Sequence, residues 1–141
     1  MSSVVVYGDV SPNVIDGSSI WLMSISEVLS DVFDEVHIQL KSHPQNRTLL
    51  SAIDGIANIH IHAPESIADD AALSTTAAAE LVERLVKENR ATAVVVRGFQ
   101  AVYDFSLNEK IQPMLWSYVT DLPFPPKKLS DTNVQLSLIH I

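Results

Sequence analysis

Two β-branched runs, Val4–Tyr7 and Ala93–Val96, dominate the hydrophobic pattern of the chain. Such runs are typical of strands buried on both faces at the centre of a parallel sheet. Three further strands are predicted at 36–41, 59–62 and 115–120. In 36–41 and 59–62 apolar and polar residues alternate, so one face of each strand is expected to be less buried.

Between these strands the apolar residues recur at the spacing of α-helices. Apolar residues recur at three and four positions in 18–33, which predicts a helix capped by Ser18 or Ser19. Further helical or irregular segments are predicted near 47–53, 80–88 and 108–111. The alternation predicts an α/β fold, a doubly wound, parallel, Rossmann-like sheet with right-handed crossovers and strand order 3-2-1-4-5.

The carboxyl-terminal part is not expected to complete this fold. Three prolines in 122–128 predict an extended loop, and the residues after 128 are too few for the remainder of a six-stranded sheet. We therefore expect a Rossmann-like domain over 1–128 and a truncated tail over 129–141. The last six residues, 136–141, resemble a translated sequencing adapter, which suggests a non-native ending.

Composition narrows the class of protein. Of 141 residues, 47% are hydrophobic and 18% are charged, which suits one packed core. The net charge of -8, with only 9 Lys and Arg, argues against a nucleic-acid partner. The absence of cysteine excludes thiolate metal sites and fits a cytoplasmic protein. No apolar run is long enough to be a transmembrane segment, although peripheral membrane contact stays open.

The candidate binding site follows from the predicted topology. Ligands of such sheets bind beyond the carboxyl ends of the strands where the strand order reverses, here between the first and fourth strands. This places Gly8, the helix start at Gly17 and Ser18, and Arg97 around one crevice. The helix start suits a phosphate or a sugar hydroxyl, and Arg97 could neutralise an anion. A capped helix turn and an arginine paired with a surface acid explain the same residues equally well.

The loop between Gly8 and Gly17 has neither the dinucleotide-binding nor the P-loop spacing, so no cofactor is expected. Asp9 and Asp16 in this loop would repel a pyrophosphate unless they point away or bind hydroxyls. The loop therefore favours an acceptor over a nucleotide donor.

Two pairs of ring-bearing residues have a functional and a structural interpretation. His60 and His62 lie on one side of a strand and could chelate a metal, but a solvated edge strand explains them more simply, so no metal is predicted. Trp116 and Tyr118 could stack on a sugar ring, but core packing is the favoured interpretation.

The segment Val4–Leu22, VVVYGDVSPNVIDGSSIWL, resembles the first βα unit of retaining glycosyltransferases with the GT-B fold, in the glycogen-synthase-like and sucrose-synthase-like group. By order of elements the resemblance extends over 3–128. It implies an acceptor-side, amino-terminal half of an enzyme that transfers a hexosyl unit from a nucleotide-sugar to a sugar or lipid-linked acceptor with retention. Gly8 and Gly17 are the loop positions that the resemblance carries over.

In that group a second, carboxyl-terminal domain binds most of the donor, so the resemblance implies that this chain alone is inactive. Many relatives carry a His-Asp pair near the end of the fifth strand, where this chain has Thr120 and Asp121. Asp121 is therefore a candidate contact for a sugar hydroxyl, and no residue is assigned as catalytic. The alternative is a non-catalytic Rossmann-like binding or regulatory domain.

Overall fold

The structure, a computed structural model, describes residues 2–64 and 72–118. Its five strands are β1 (Ser3–Gly8), β2 (Glu35–Gln39), β3 (Ile59–His62), β4 (Ala93–Arg97) and β5 (Leu115–Tyr118). Its α-helices are α1 (Gly17–Val32), α2 (Thr75–Asn89) and α3 (Phe99–Ser106), with 3₁₀ turns at Leu50–Ala52 and Gln112–Met114.

The five strands form one parallel sheet in the order β3-β2-β1-β4-β5. This order confirms the predicted fold class. The strand order reverses between β1 and β4, and there Gly8 pairs in register with Arg97. The carboxyl ends of the two central strands therefore lie side by side.

Each side of the sheet is covered by its own helices, because successive side chains of a strand point to opposite faces. On one side, Val4 and Val6 of β1 pack with Leu22 of α1. On the other side, Val5 and Tyr7 join the buried residues of α2 and α3. Both faces of β1 are completely buried, as its β-branched run predicted.

The second strand corrects one expectation from the sequence. His37 and Gln39 were expected on a less buried face, but they are only 5% and 3% exposed. The reason is that this face lies on the α2 side of the sheet, where Leu81 and Leu85 of α2 line one cleft with Gln39. His37 and Gln39 are therefore inside the protein, while Glu35 at the start of β2 is half-buried.

The helices begin and end differently from the sequence prediction in three places. The cap of α1 is Asp16 rather than Ser18 or Ser19, and its Oδ1 accepts from the Ser19 N–H at 2.9 Å. The segment 47–53 contains only a 3₁₀ turn, and α3 precedes 108–111 rather than including it. An eight-residue helix has too few periods for the hydrophobic pattern to define it.

Three predicted regions lie outside the described residues. They are the end of the fifth strand with Thr120 and Asp121, the extended loop over 122–128, and the tail over 129–141. The domain boundary at 128 accordingly stays a prediction.

Candidate functional site

The β1–α1 turn and the end of β4 meet as the topology predicts. The Asp9 N–H donates to the Arg97 carbonyl oxygen at 3.1 Å, which extends the β1–β4 ladder past the end of β1. Asp9 and Lys41 lie with Arg97 and Gly98 at this edge of the sheet, and we call these four residues the rim notch.

Gly98 allows the two central strands to approach closely at the rim notch. Its φ is +111°, a conformation that L-residues with a side chain rarely adopt. A Cβ at this position would lie 3.0 Å from the Cβ of Asp9. A glycine is therefore required here for both its backbone angle and its lack of a side chain.

Asp9 is held from two directions. The Lys41 Nζ lies 3.0 Å from Asp9 Oδ1, and the Tyr7 hydroxyl donates to the same oxygen at 3.2 Å. The Asp9 and Lys41 side chains are 19% and 27% exposed, so the pair is mostly buried yet reachable from solvent. Burial, and then the nearby Asp9 charge, raises the pKa of Tyr7, so its hydroxyl stays a donor.

Asn13 fastens the β1–α1 loop to the loop that follows β2. Its side-chain amide donates to the His43 carbonyl at 3.1 Å. Its carbonyl oxygen accepts from the backbone N–H groups of Gln45 and Asn46 at 2.7 and 3.1 Å. These bonds join the two loops that follow β1 and β2, and so support the Asp9–Lys41 side of the notch.

Arg97 lies on the α1 side of the notch, beside the stacked rings of Trp21 and Tyr118. Its guanidinium carbon is 5.8 Å from the ring centroid of Trp21 and 5.6 Å from that of Tyr118. Its buried Nε has no hydrogen-bond partner among the described residues. The Ser19 backbone amide is the main cause of the low pKa of Asp16, and the Arg97 charge lowers it further.

The predicted site residues differ in their accessibility. Gly8 is buried, and a Cβ there would meet Leu22 at 3.5 Å, so Gly8 faces α1 rather than the notch. Gly17 is exposed and Ser18 is half-buried at the start of α1. The Arg97 charge acts on Asp16, the cap of α1, and Gly8 is the register partner of Arg97 on the neighbouring strand. Asp121 lies outside the described residues.

Lys41 was missed by the sequence reasoning, which treated it as one polar position of an alternating strand. The available signal was its place directly after β2, the neighbour of β1, since parallel strands end at the same edge of the sheet. Asn13 was not among the predicted site residues either. Its role depends on contacts some 30 residues away in the chain, which no local pattern contains.

The two aromatic residues of β5 behave differently from each other. Tyr118 is 4% exposed and stacks on Trp21 with ring centroids 5.1 Å apart, which confirms core packing. Trp116 is 53% exposed, so core packing is wrong for this residue. With Trp21 and Val95 it lines an apolar groove of about 270 Å³ on the α1 side of the sheet. Val95 is half-exposed there.

None of the helices in 2–64 and 72–118 has the length and apolar character needed to span a bilayer.

Comparison with known proteins adds a likeness of fold. No protein-family model matches the chain, and no curated protein sequence matches it either. The crystal structure of MurG from Acinetobacter baumannii is similar, with a TM-score of 0.58 and 12% sequence identity. The likeness covers 98% of this chain and 41% of that chain, so this chain spans less than half the length of the protein it matches. It supports a GT-B type of Rossmann-like fold.

Proposed function

We propose that this chain is the acceptor-side part of a glycosyltransferase, which transfers a hexosyl unit from a nucleotide-sugar to a sugar or lipid-linked acceptor. The observation that carries the proposal is the rim notch at the reversal of strand order, where α/β sheets bind ligands. The fold likeness to MurG supports the same class of reaction.

The side chains of the notch suit a sugar. The Asp9 carboxylate can accept hydrogen bonds from hydroxyl groups, and the Lys41 ammonium can donate to them. Because the two groups are 3.0 Å apart, vicinal hydroxyls of one ring can reach both. Arg97 adds further donors at the opposite side of the notch.

The carboxylates near the rim notch favour binding of the acceptor over binding of the nucleotide-sugar donor by this chain. The Asp16 carboxylate already accepts from the Ser19 amide at the start of α1, where a donor phosphate would otherwise bind. Asp9 adds a second negative charge nearby. We therefore assign most of the contacts to the nucleotide donor to a further domain, in line with the 41% coverage of MurG.

The same proposal includes three further statements: the transfer retains configuration, this chain alone is inactive, and the protein is cytoplasmic. Retention and inactivity derive from the resemblance of the β1–α1 segment, and the location derives from the cysteine-free sequence. The anomeric configuration of the product, followed by NMR with the complete transferase, tests retention. No feature of the rim notch favours the alternative of a purely regulatory domain.

Binding of sugars to the 141-residue chain tests the proposal. Saturation-transfer NMR with glucose, N-acetylglucosamine and maltose is expected to show binding that Asp9→Asn and Lys41→Met each weaken about tenfold, the loss of one good polar contact. Uridine diphosphate glucose is expected to bind no better than glucose itself. Lys87→Met is the matched control, since Lys87 lies on α2 and pairs with Glu83 one helical turn away.

The proposal is wrong if the sugars bind equally well to the wild type and to both notch variants. A preference of the chain for the nucleotide over the sugar would contradict the acceptor-side assignment specifically. Transfer assays on the chain alone are expected to yield no product detectable by mass spectrometry.

A further inference from the structure

Three metal-ligating side chains gather on β2 and β3, far from the rim notch. Glu35 and His37 are two positions apart on β2, so both point to the α2 side of the sheet. His60 of β3 pairs in register with His37 and points to the same side. The strand register, rather than any local motif, brings these residues together.

The distances place all three donors around one point. Glu35 Oε2 lies 3.3 Å from His37 Nε2, and the other carboxylate oxygen lies 3.9 Å from His60 Nε2. One ligand atom from each residue falls within 4.8 Å of the others. In a tetrahedral zinc site the donors are roughly 3.3 Å apart. The His37 and His60 rings stack with their centroids 4.8 Å apart, so at least one ring must turn for both nitrogen lone pairs to point at one ion.

We propose that Glu35, His37 and His60 bind a divalent transition-metal ion of the zinc class, with water as the fourth ligand. Two imidazole nitrogens and one carboxylate are a donor set that zinc accepts, and three protein ligands leave one position open. The His60 side chain is 43% exposed, which gives an ion access from solvent.

His62 supplies the outer contact that such a site needs. Its Nε2 lies 3.0 Å from His37 Nδ1, the ring nitrogen that does not face Glu35. With a metal on Nε2, His37 carries its proton on Nδ1 and donates it to His62. Ligating histidines commonly donate their second N–H in this way, which fixes the ring and its tautomer. His62 is therefore a positioning residue.

The site would tie the edge strand to the sheet rather than take part in sugar transfer. β3 pairs only with β2 in the described sheet. His37, the proposed ligand on β2 that is nearest to the notch, is four residues from Lys41 along extended chain, a separation of about 13 Å. A metal at this place would fasten β3 to β2 without reaching the rim notch.

Cobalt is the direct probe, because tetrahedral Co²⁺ absorbs in the visible range. Untagged, EDTA-treated 141-residue chain is titrated with CoCl₂, and then with ZnCl₂ as competitor. We expect one equivalent of Co²⁺ to bind with visible bands that Zn²⁺ displaces, and Zn²⁺ to raise the thermal midpoint. His60→Ala is expected to weaken binding more than about 100-fold, and His62→Ala about 10- to 100-fold.

Two variants separate a built site from incidental binding. His43→Ala removes a histidine of the loop after β2 and is expected to leave the affinity unchanged. Glu35→Gln keeps the size of the side chain but removes its charge, and is expected to weaken binding while the far-ultraviolet circular dichroism stays native. Absence of visible bands and of zinc stabilisation in the wild type overturns the proposal. Equal affinity of the wild type and His60→Ala overturns it as well.

Discussion

The rim notch and the histidine cluster of Glu35, His37, His60 and His62 are two polar regions of one sheet that arise in different ways. The notch lies where the carboxyl ends of β1 and β4 meet, and the close approach of Gly98 to Asp9 requires a residue without a side chain. The cluster depends on which side chains the register of two neighbouring strands places on one face of the sheet.

Topology locates the first region and cannot locate the second. Any doubly wound sheet has an opening at the reversal of strand order, whatever side chains surround it. The fold itself does not require histidines between β2 and α2. Polar groups are retained there only with partners, as His37 has in Glu35 and His62.

The largest expected contrast between the regions is in the free energy of unfolding. Phe105 is fully buried and stacks on Tyr7 with ring centroids 5.3 Å apart, and Tyr7 in turn holds Asp9. Phe105→Ala is expected to cost about 3–5 kcal/mol by urea denaturation. In EDTA-treated protein, His62→Ala removes one hydrogen-bond partner and is expected to cost about 1 kcal/mol.

If Phe105→Ala does not fold, Phe105→Leu replaces it, with an expected cost of about 1–2 kcal/mol. The prediction is wrong if His62→Ala lowers the free energy of unfolding more than the Phe105 variant does.

The second contrast is between two glycines at the rim. Gly98→Ala is expected to cost about 1–3 kcal/mol, because alanine is strained at a φ of +111° and its Cβ would press on Asp9. Gly17→Ala is the control, since the described residues leave open space around that position. If thermal melts show the same drop in midpoint for both variants, Gly98 is not specifically required to be a glycine.

The sequence was informative about regions set by hydrophobic runs and weak about pairs that need register. Val4–Tyr7 and Ala93–Val96 sufficed to place two central strands and hence the reversal of strand order. Lys41 was out of reach because its partner Asp9 is 32 positions away and meets it only in the folded sheet. The burial of His37 was missed because alternation looks the same whether a helix covers the polar face or water does.

The third contrast compares two lysines that form ion pairs. Lys41→Met leaves the mostly buried Asp9 carboxylate without its cation, so we expect a cost of about 1–2 kcal/mol, between the surface and buried cases. Lys87→Met breaks an exposed pair with Glu83, and its denaturation midpoint is expected to stay unchanged. If only Lys87→Met lowered the free energy of unfolding, Asp9 would not depend on Lys41.

The smallest effect concerns acid stability at the start of α1. The Ser19 amide holds the pKa of Asp16 below its ordinary value of 3.8, so the stabilisation is present above that pH and is lost as pH falls through the folded pKa. Asp16→Asn keeps a capping oxygen but does not titrate. Between about pH 5 and pH 3 the thermal midpoint should fall more in the wild type than in Asp16→Asn. Asp31→Asn, on the same helix, should behave like the wild type.

Mapping sugar binding onto individual backbone amides tests the role of the rim notch most directly. ¹⁵N-labelled chain is titrated with maltose and followed by two-dimensional NMR. We expect the largest shifts at Asp9, Lys41 and Gly98, and little change at His37 and His60. Shifts concentrated in the Trp21–Trp116 groove or at the histidine cluster, with the notch unchanged, would contradict the assignment of the notch as the sugar site.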